Sequence, residues 1–142
     1  VGTQCDDKAH LPMHEAEEQR QEILGPVRML KSKYHHDATL FRPPYGEFNE
    51  VTVDVVTSLG LRFILWNIES GDPDPTLSAD AVLGRVQKRL KPGSVIVLHA
   101  NGKGKHTREV TEALVTTVMP AKGLQAATVS NLLSCNPNQT TQ

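Results

Sequence analysis

The sequence predicts an α/β fold with parallel strands and outer helices, a sheet or a barrel. Two observations carry the prediction. Short apolar runs alternate with longer amphipathic stretches, strand then helix, three times along 142 residues. The apolar runs are separated by helix-length segments, too long for hairpins, so neighbouring strands run parallel. A third observation concerns chemistry: polar and charged residues that can do it stand directly after these runs, at Arg42, after Trp66 and at His99. In parallel α/β folds the strand C-termini are where sites collect.

Each element follows in order. Val1-Gly2 reads as the end of a buried strand, so the chain is expected to begin partway through something longer. Residues 13–34 read as helix, with Ile23, Val27 and Leu30 on one face. Gly25-Pro26 is expected to kink or break it, because Pro26 has no N–H to donate. Ala38 to Phe41 reads as a strand. Asn49 caps a helix to about Ser58, and Gly60 stops it. "RFILW" (62–66) reads as a short strand, and "NIESGDPDPTL" (67–77) as a loop rich in breakers. Ser78 caps a helix over Ala79–Leu90, ended by Pro92-Gly93. "SVIVL" (94–98) is the clearest buried strand. A Gly-rich loop follows (99–106), then a helix capped by Thr107 and running to about Ala121. Leu124 to Val129 reads as a last strand, "SNLL" as a last helical turn, and the tail from Asn136 as disordered. The expected organisation is one domain over 1–134 and a polar tail over 135–142.

Composition excludes some classes. The net charge of -1 gives no basic excess for nucleic acid or anionic membrane. No apolar run approaches the ~20 residues that span a bilayer. The two cysteines, Cys5 and Cys135, read either as unrelated thiols or as one bridge in a secreted protein. The sequon Asn138-Gln139-Thr140 agrees with secretion, and the expected location is secreted or cell-envelope.

The strand exits supply the candidate residues. His99 can titrate near neutral pH while rigidly held, as an acid or base must, or it can simply cap its strand. Arg42 needs a carboxylate partner if half-buried, and Asp72 and Asp74 lie on a following loop. Pro43-Pro44 stiffens the backbone and Gly46 permits a sharp turn, so the amide of Tyr45 is presented at a fixed point, as an oxyanion donor must be. Trp66 can stack on a sugar or fill core. "GKGK" (102–105) lacks the spacing of a phosphate loop.

"FRPPYGEF", "LWNIESGDPDP" and "KPGSVIVLHANGKGKHT", in this order and spacing, resemble the later part of the polysaccharide deacetylase (NodB-homology) domain of carbohydrate esterase family four. The resemblance implies a partial distorted (β/α) barrel and the hydrolysis of acetyl groups from N-acetylated polysaccharides such as chitin or peptidoglycan. It implies a divalent metal, usually zinc. It gives Arg42 the task of orienting a catalytic base, Tyr45 that of oxyanion donor, and Asp72 that of the arginine's acidic partner. His99 becomes the acid for the leaving amine. Pro43, Pro44 and Trp66 stand beside the substrate. The family's first motif, with its base, is absent. A gap-free alignment puts Gln4 and Lys8 where the motif His-(Ser/Thr)-x-x-His has its two metal-binding histidines, and a lysine ammonium offers a metal no lone pair, so this chain is expected to hold no zinc. A competing alignment makes His10 and His14, behind Asp6-Asp7, a relocated site. His35-His36 are expected at the surface, and Pro73 stands where many relatives have Trp. A metal-free pseudo-enzyme or glycan-binding domain is the alternative reading.

Overall fold

The computed structural model describes residues 2–5 and 10–134. The chain divides into two compact units, Val1–Leu65 and Trp66–Gln142.

In the first unit, β1 (Gly2–Thr3), β2 (Leu40–Phe41) and β3 (Arg62–Phe63) form a parallel sheet in that order. Gly2 pairs with Leu40 and Leu40 with Arg62. The connections are α1 (Ala16–Tyr34) and α2 (Glu50–Ser58), which with the strands bury Cys5, Leu11, Ile23, Phe41, Val55, Val56 and Leu61. A Glu15–Glu18 capping box starts α1, and Asn49 caps α2 by accepting from the Thr52 amide. The buried Gln19 joins the two helices. Its amide donates to the His14 carbonyl (2.9 Å), and its carbonyl accepts from the Thr52 hydroxyl (2.7 Å).

The expected break at Gly25-Pro26 does not occur, since α1 runs through both residues. Pro26 forfeits one backbone bond but is buried beside Ile23 and Val27, and that packing keeps the helix whole. His35 ends α1 in the left-handed region (φ 51°) and is exposed. His36, expected at the surface, is half-buried, and its Nε2 has no hydrogen-bond partner among the described residues.

In the second unit, β4 (Ile68–Glu69) and β5 (Ile96–Val97) are parallel and joined through α3 (Ala79–Arg89), which Ser78 caps. Asn67 locks the strand entries. Its side chain accepts from the Val95 amide at 3.0 Å, and its own amide donates to the Val95 carbonyl at 3.1 Å. α4 (Thr107–Ala113) continues through a π-helical stretch (Leu114–Val118) into α5 (Met119–Ala121). The core gathers Ile68, Val82, Val86, Leu90, Val110, Leu114 and Val118.

The strands are shorter than the apolar runs that mark them, and the run 62–66 yields a strand only over its first two residues. The expected strand Leu124–Val129 is absent. Gln125 to Thr128 are exposed, so nothing makes this run half-buried, and the Thr128 hydroxyl accepts from the Asn131 amide, drawing Val129–Ser134 into α6. The parallel α/β character holds, but no closed barrel is found among the described residues. The tail and Cys135 lie outside them.

Candidate active site

The second unit contains the most developed polar cluster. Asp72 follows β4 and His99 follows β5, so two adjacent parallel strands deliver both side chains at their C-terminal ends. The Asp72 side chain is fully buried, with 0% exposure. Its Oδ1 accepts from the Ser70 hydroxyl (2.8 Å) and lies 2.9 Å from His99 Nδ1. Its Oδ2 accepts from the His99 backbone amide (2.8 Å) and the Thr107 hydroxyl (2.5 Å). Burial alone would push this carboxyl up, but the bonds from Thr107, His99 and Ser70 outweigh it and hold Asp72 down at about 2. The carboxylate is therefore charged at neutral pH. It fixes the His99 proton on Nδ1 and leaves Nε2 as the exchanging position on a ring 32% exposed. An oriented imidazole whose second nitrogen is accessible can give or take a proton.

The carboxylate assigned to an arginine is engaged by His99, Ser70 and Thr107. Ser70 and Gly104 are site residues that sequence reasoning missed, and Thr107 was read only as a cap, whereas His106 holds the cap position and Thr107 opens the helix. The available signal was Gly104 between two lysines in a strand-exit loop, a pattern read solely against phosphate binding.

In the first unit, Arg42 follows β2, half-buried, with its amide bonded to the Thr3 carbonyl (3.0 Å). Burial lowers its pKa. Pro43 is extended (φ -65°, ψ 141°), and Pro44–Gly46 form one turn of 3-10 helix. Tyr45 lies in the left-handed region at φ 57°, followed by Gly46 at φ 75°. The turn's internal bonds run from the Gly46 amide to Pro43 and from the Glu47 amide to Pro44, and neither uses the amide of Tyr45. That amide can serve an outside acceptor. Pro43 and Pro44, expected beside the substrate, are buried. The Tyr45 ring is 57% exposed and stacks on His10 (centroids 4.7 Å apart, planes 10° apart), whose Nδ1 lies 2.6 Å from Glu47 Oε2.

Trp66 is half-buried, with Nε1 3.5 Å from Glu69 Oε1. Pro73 is exposed.

Among the described residues no group of three or more His, Cys, Asp or Glu could hold a metal. His10 is engaged by Glu47 and Tyr45, while His14, just ahead of α1, sits 3.4 Å from Glu18 of that helix. Gln4 is half-buried, and Lys8, Asp6 and Asp7 lie outside the described residues. Cys5 is a free, buried thiol that burial, aided by Glu22, raises to about 12.

The polysaccharide deacetylase family model matches residues 4–64. The bifunctional xylanase/xylan deacetylase of Cellvibrio japonicus is 36% identical over 86 residues, which are 61% of this chain and 12% of that protein. The peptidoglycan-N-acetylglucosamine deacetylase of Bacillus cereus is 25% identical over 134 residues, 93% of this chain and 48% of that one. A solved family-four carbohydrate esterase pseudoenzyme from Bacillus anthracis superposes with a TM-score of 0.85 at 21% identity, covering 94% of this chain and 46% of that one. The chain thus spans less than half the length of these relatives. By these matches it is similar to the polysaccharide deacetylases of carbohydrate esterase family four, and it fits part of their NodB-homology domain.

Proposed function

We propose that the chain supplies the acid and oxyanion elements of a carbohydrate deacetylase that hydrolyses the acetamide of an N-acetylated glycan. The Asp72–His99 pair carries this reading. As the C–N bond of the tetrahedral intermediate breaks, protonated His99 gives its Nε2 proton to the leaving amine, and buried Asp72 stabilises the imidazolium. The amide of Tyr45 donates to the oxygen that gains charge from the acetyl carbonyl. Arg42 orients a carboxylate base. Trp66 borders the glycan. Relatives named for xylan and peptidoglycan support a polymeric substrate, and such a substrate favours a secreted or cell-envelope location.

The donors present among the described residues favour a second reading, a metal-free domain that binds glycan without cleaving it. The test is acetate release from N-acetylglucosamine oligomers with added zinc, alongside oligomer binding. The chain by itself is expected to release none and to bind oligomers, with binding lost in Trp66→Ala. Acetate release that His99→Ala abolishes would show a complete hydrolytic site in this chain and sink the second reading. Absence of both release and binding would remove the glycan from either reading.

A further inference from the structure

We propose that Thr107 and Gly104 are positioning residues for His99, acting by sealing Asp72 and completing its set of hydrogen-bond donors. The inference rests on the reading of His99 as the proton donor. The chain leaves β5 at His99, loops through Ala100–Lys105 and returns as α4, whose first residue is Thr107. On that return Gly104 lies directly on the pair. A Cβ at residue 104 would overlap Thr107 Oγ1 and Asp72 Oδ2 and stand 2.7 Å from the His99 carbonyl oxygen. Backbone and carboxylate atoms cannot swing aside as a long side chain can, so any side chain at 104 lifts the loop. Glycine lets the loop close.

Closure would leave a buried charge, costly unless it is hydrogen-bonded. Four donors meet it, two on each oxygen. Thr107 is the donor that the sealing segment itself brings. Its Oγ1 lies 2.5 Å from Asp72 Oδ2 and 3.0 Å from the His99 carbonyl, and its single proton goes to the charged acceptor. Without it, Oδ2 keeps only the His99 amide, and the carboxyl protonates more easily. A neutral Asp72 can no longer hold the imidazolium or fix the ring. The other charged groups on the surrounding elements include Glu69 of β4, Asp74 on the same loop, Arg85 of α3 against Gly71, Lys103 and Lys105 beside Gly104, and His106, Arg108 and Glu109 at the start of α4. None of them hydrogen-bonds to Asp72.

The test uses the intact chain, without substrate or metal. The Asp72 carboxyl is titrated by 13C NMR, and exchange of the His99 backbone amide is followed at neutral pH. In Thr107→Val the Asp72 midpoint is expected to rise by about half a pH unit or more, while Thr107→Ser keeps it in place. In Gly104→Ala the His99 amide is expected to exchange about tenfold faster or more, and in Lys103→Ala, an exposed neighbour, at the original rate. A Thr107→Val chain that melts earlier with an unmoved Asp72 midpoint would make Thr107 merely structural and overturn the proposal. So would unchanged His99 exchange in Gly104→Ala, which decides the matter even if Thr107→Val does not fold. Both readouts are independent of acetate release, so a failed deacetylase reading and a failed positioning role are told apart.

Discussion

The turn at Arg42–Glu47 and the cluster around Asp72 both stand at strand exits, yet they achieve rigidity by opposite means. The turn is held through the backbone. Two buried prolines fix its approach, a left-handed tyrosine turns it, and the donor it offers is a main-chain amide. The Tyr45 and Glu47 side chains stay exposed, and their contacts with His10 lie in solvent, where such pairs are weak. The cluster is held through side chains. One dry carboxylate collects donors from Ser70, His99 and Thr107, and its energy depends on every donor being present. Substitution should therefore act on the turn mainly through φ, and on the cluster mainly through burial and hydrogen bonding.

The largest effect is expected at Asp72. Asp72→Ala strands the donors of Ser70, His99 and Thr107, and should cost about 3–5 kcal/mol in urea unfolding at neutral pH. The same residue sets a pH dependence. Its folded-state pKa of about 2 lies below the unfolded value of 3.8, so its stabilisation is present above pH ~4 and lost as pH falls toward 2. That contribution is on the order of 2 kcal/mol, and the Asp72→Ala chain should show a shallower stability slope in this window. Parallel curves for both chains would contradict a charged, bonded Asp72.

An intermediate effect is expected from the other buried network. Thr52→Val leaves Gln19 Oε1 without its donor inside the first unit, and should lower stability by about 1–3 kcal/mol. A loss equal to that of Asp72→Ala would mean that a neutral buried bond weighs as much as a buried charge, erasing the contrast. The smallest effect is expected in the turn. Tyr45→Val puts a branched side chain at φ 57° and should cost about 1–2 kcal/mol, whereas Tyr45→Gly should change stability by less than about 1 kcal/mol. If valine and glycine prove equal, the turn is held by side-chain contacts after all.

Much of this was legible in the chain. Helices with clear caps, at Asn49 and Ser78, stand where the caps put them, because capping is local chemistry. The exits carrying Arg42 and His99 follow from apolar runs that end in polar residues. Errors arose where burial overrode a local signal. Pro26 stays in α1 because its face is buried, and Leu124–Thr128 forms no strand because little there is buried.

The sequence by itself determined the alternation of parallel strands and helices, the stiffened turn at Tyr45 and the lack of a histidine at Gln4 and Lys8. These depend on residue type and spacing, which the chain displays directly. Only the tertiary structure decided which group Asp72 serves, and that Gly104 and Thr107 close over it. Those contacts join residues 27 to 35 apart in sequence, on loops that β4, β5 and α4 bring together, and no local pattern encodes where such loops meet.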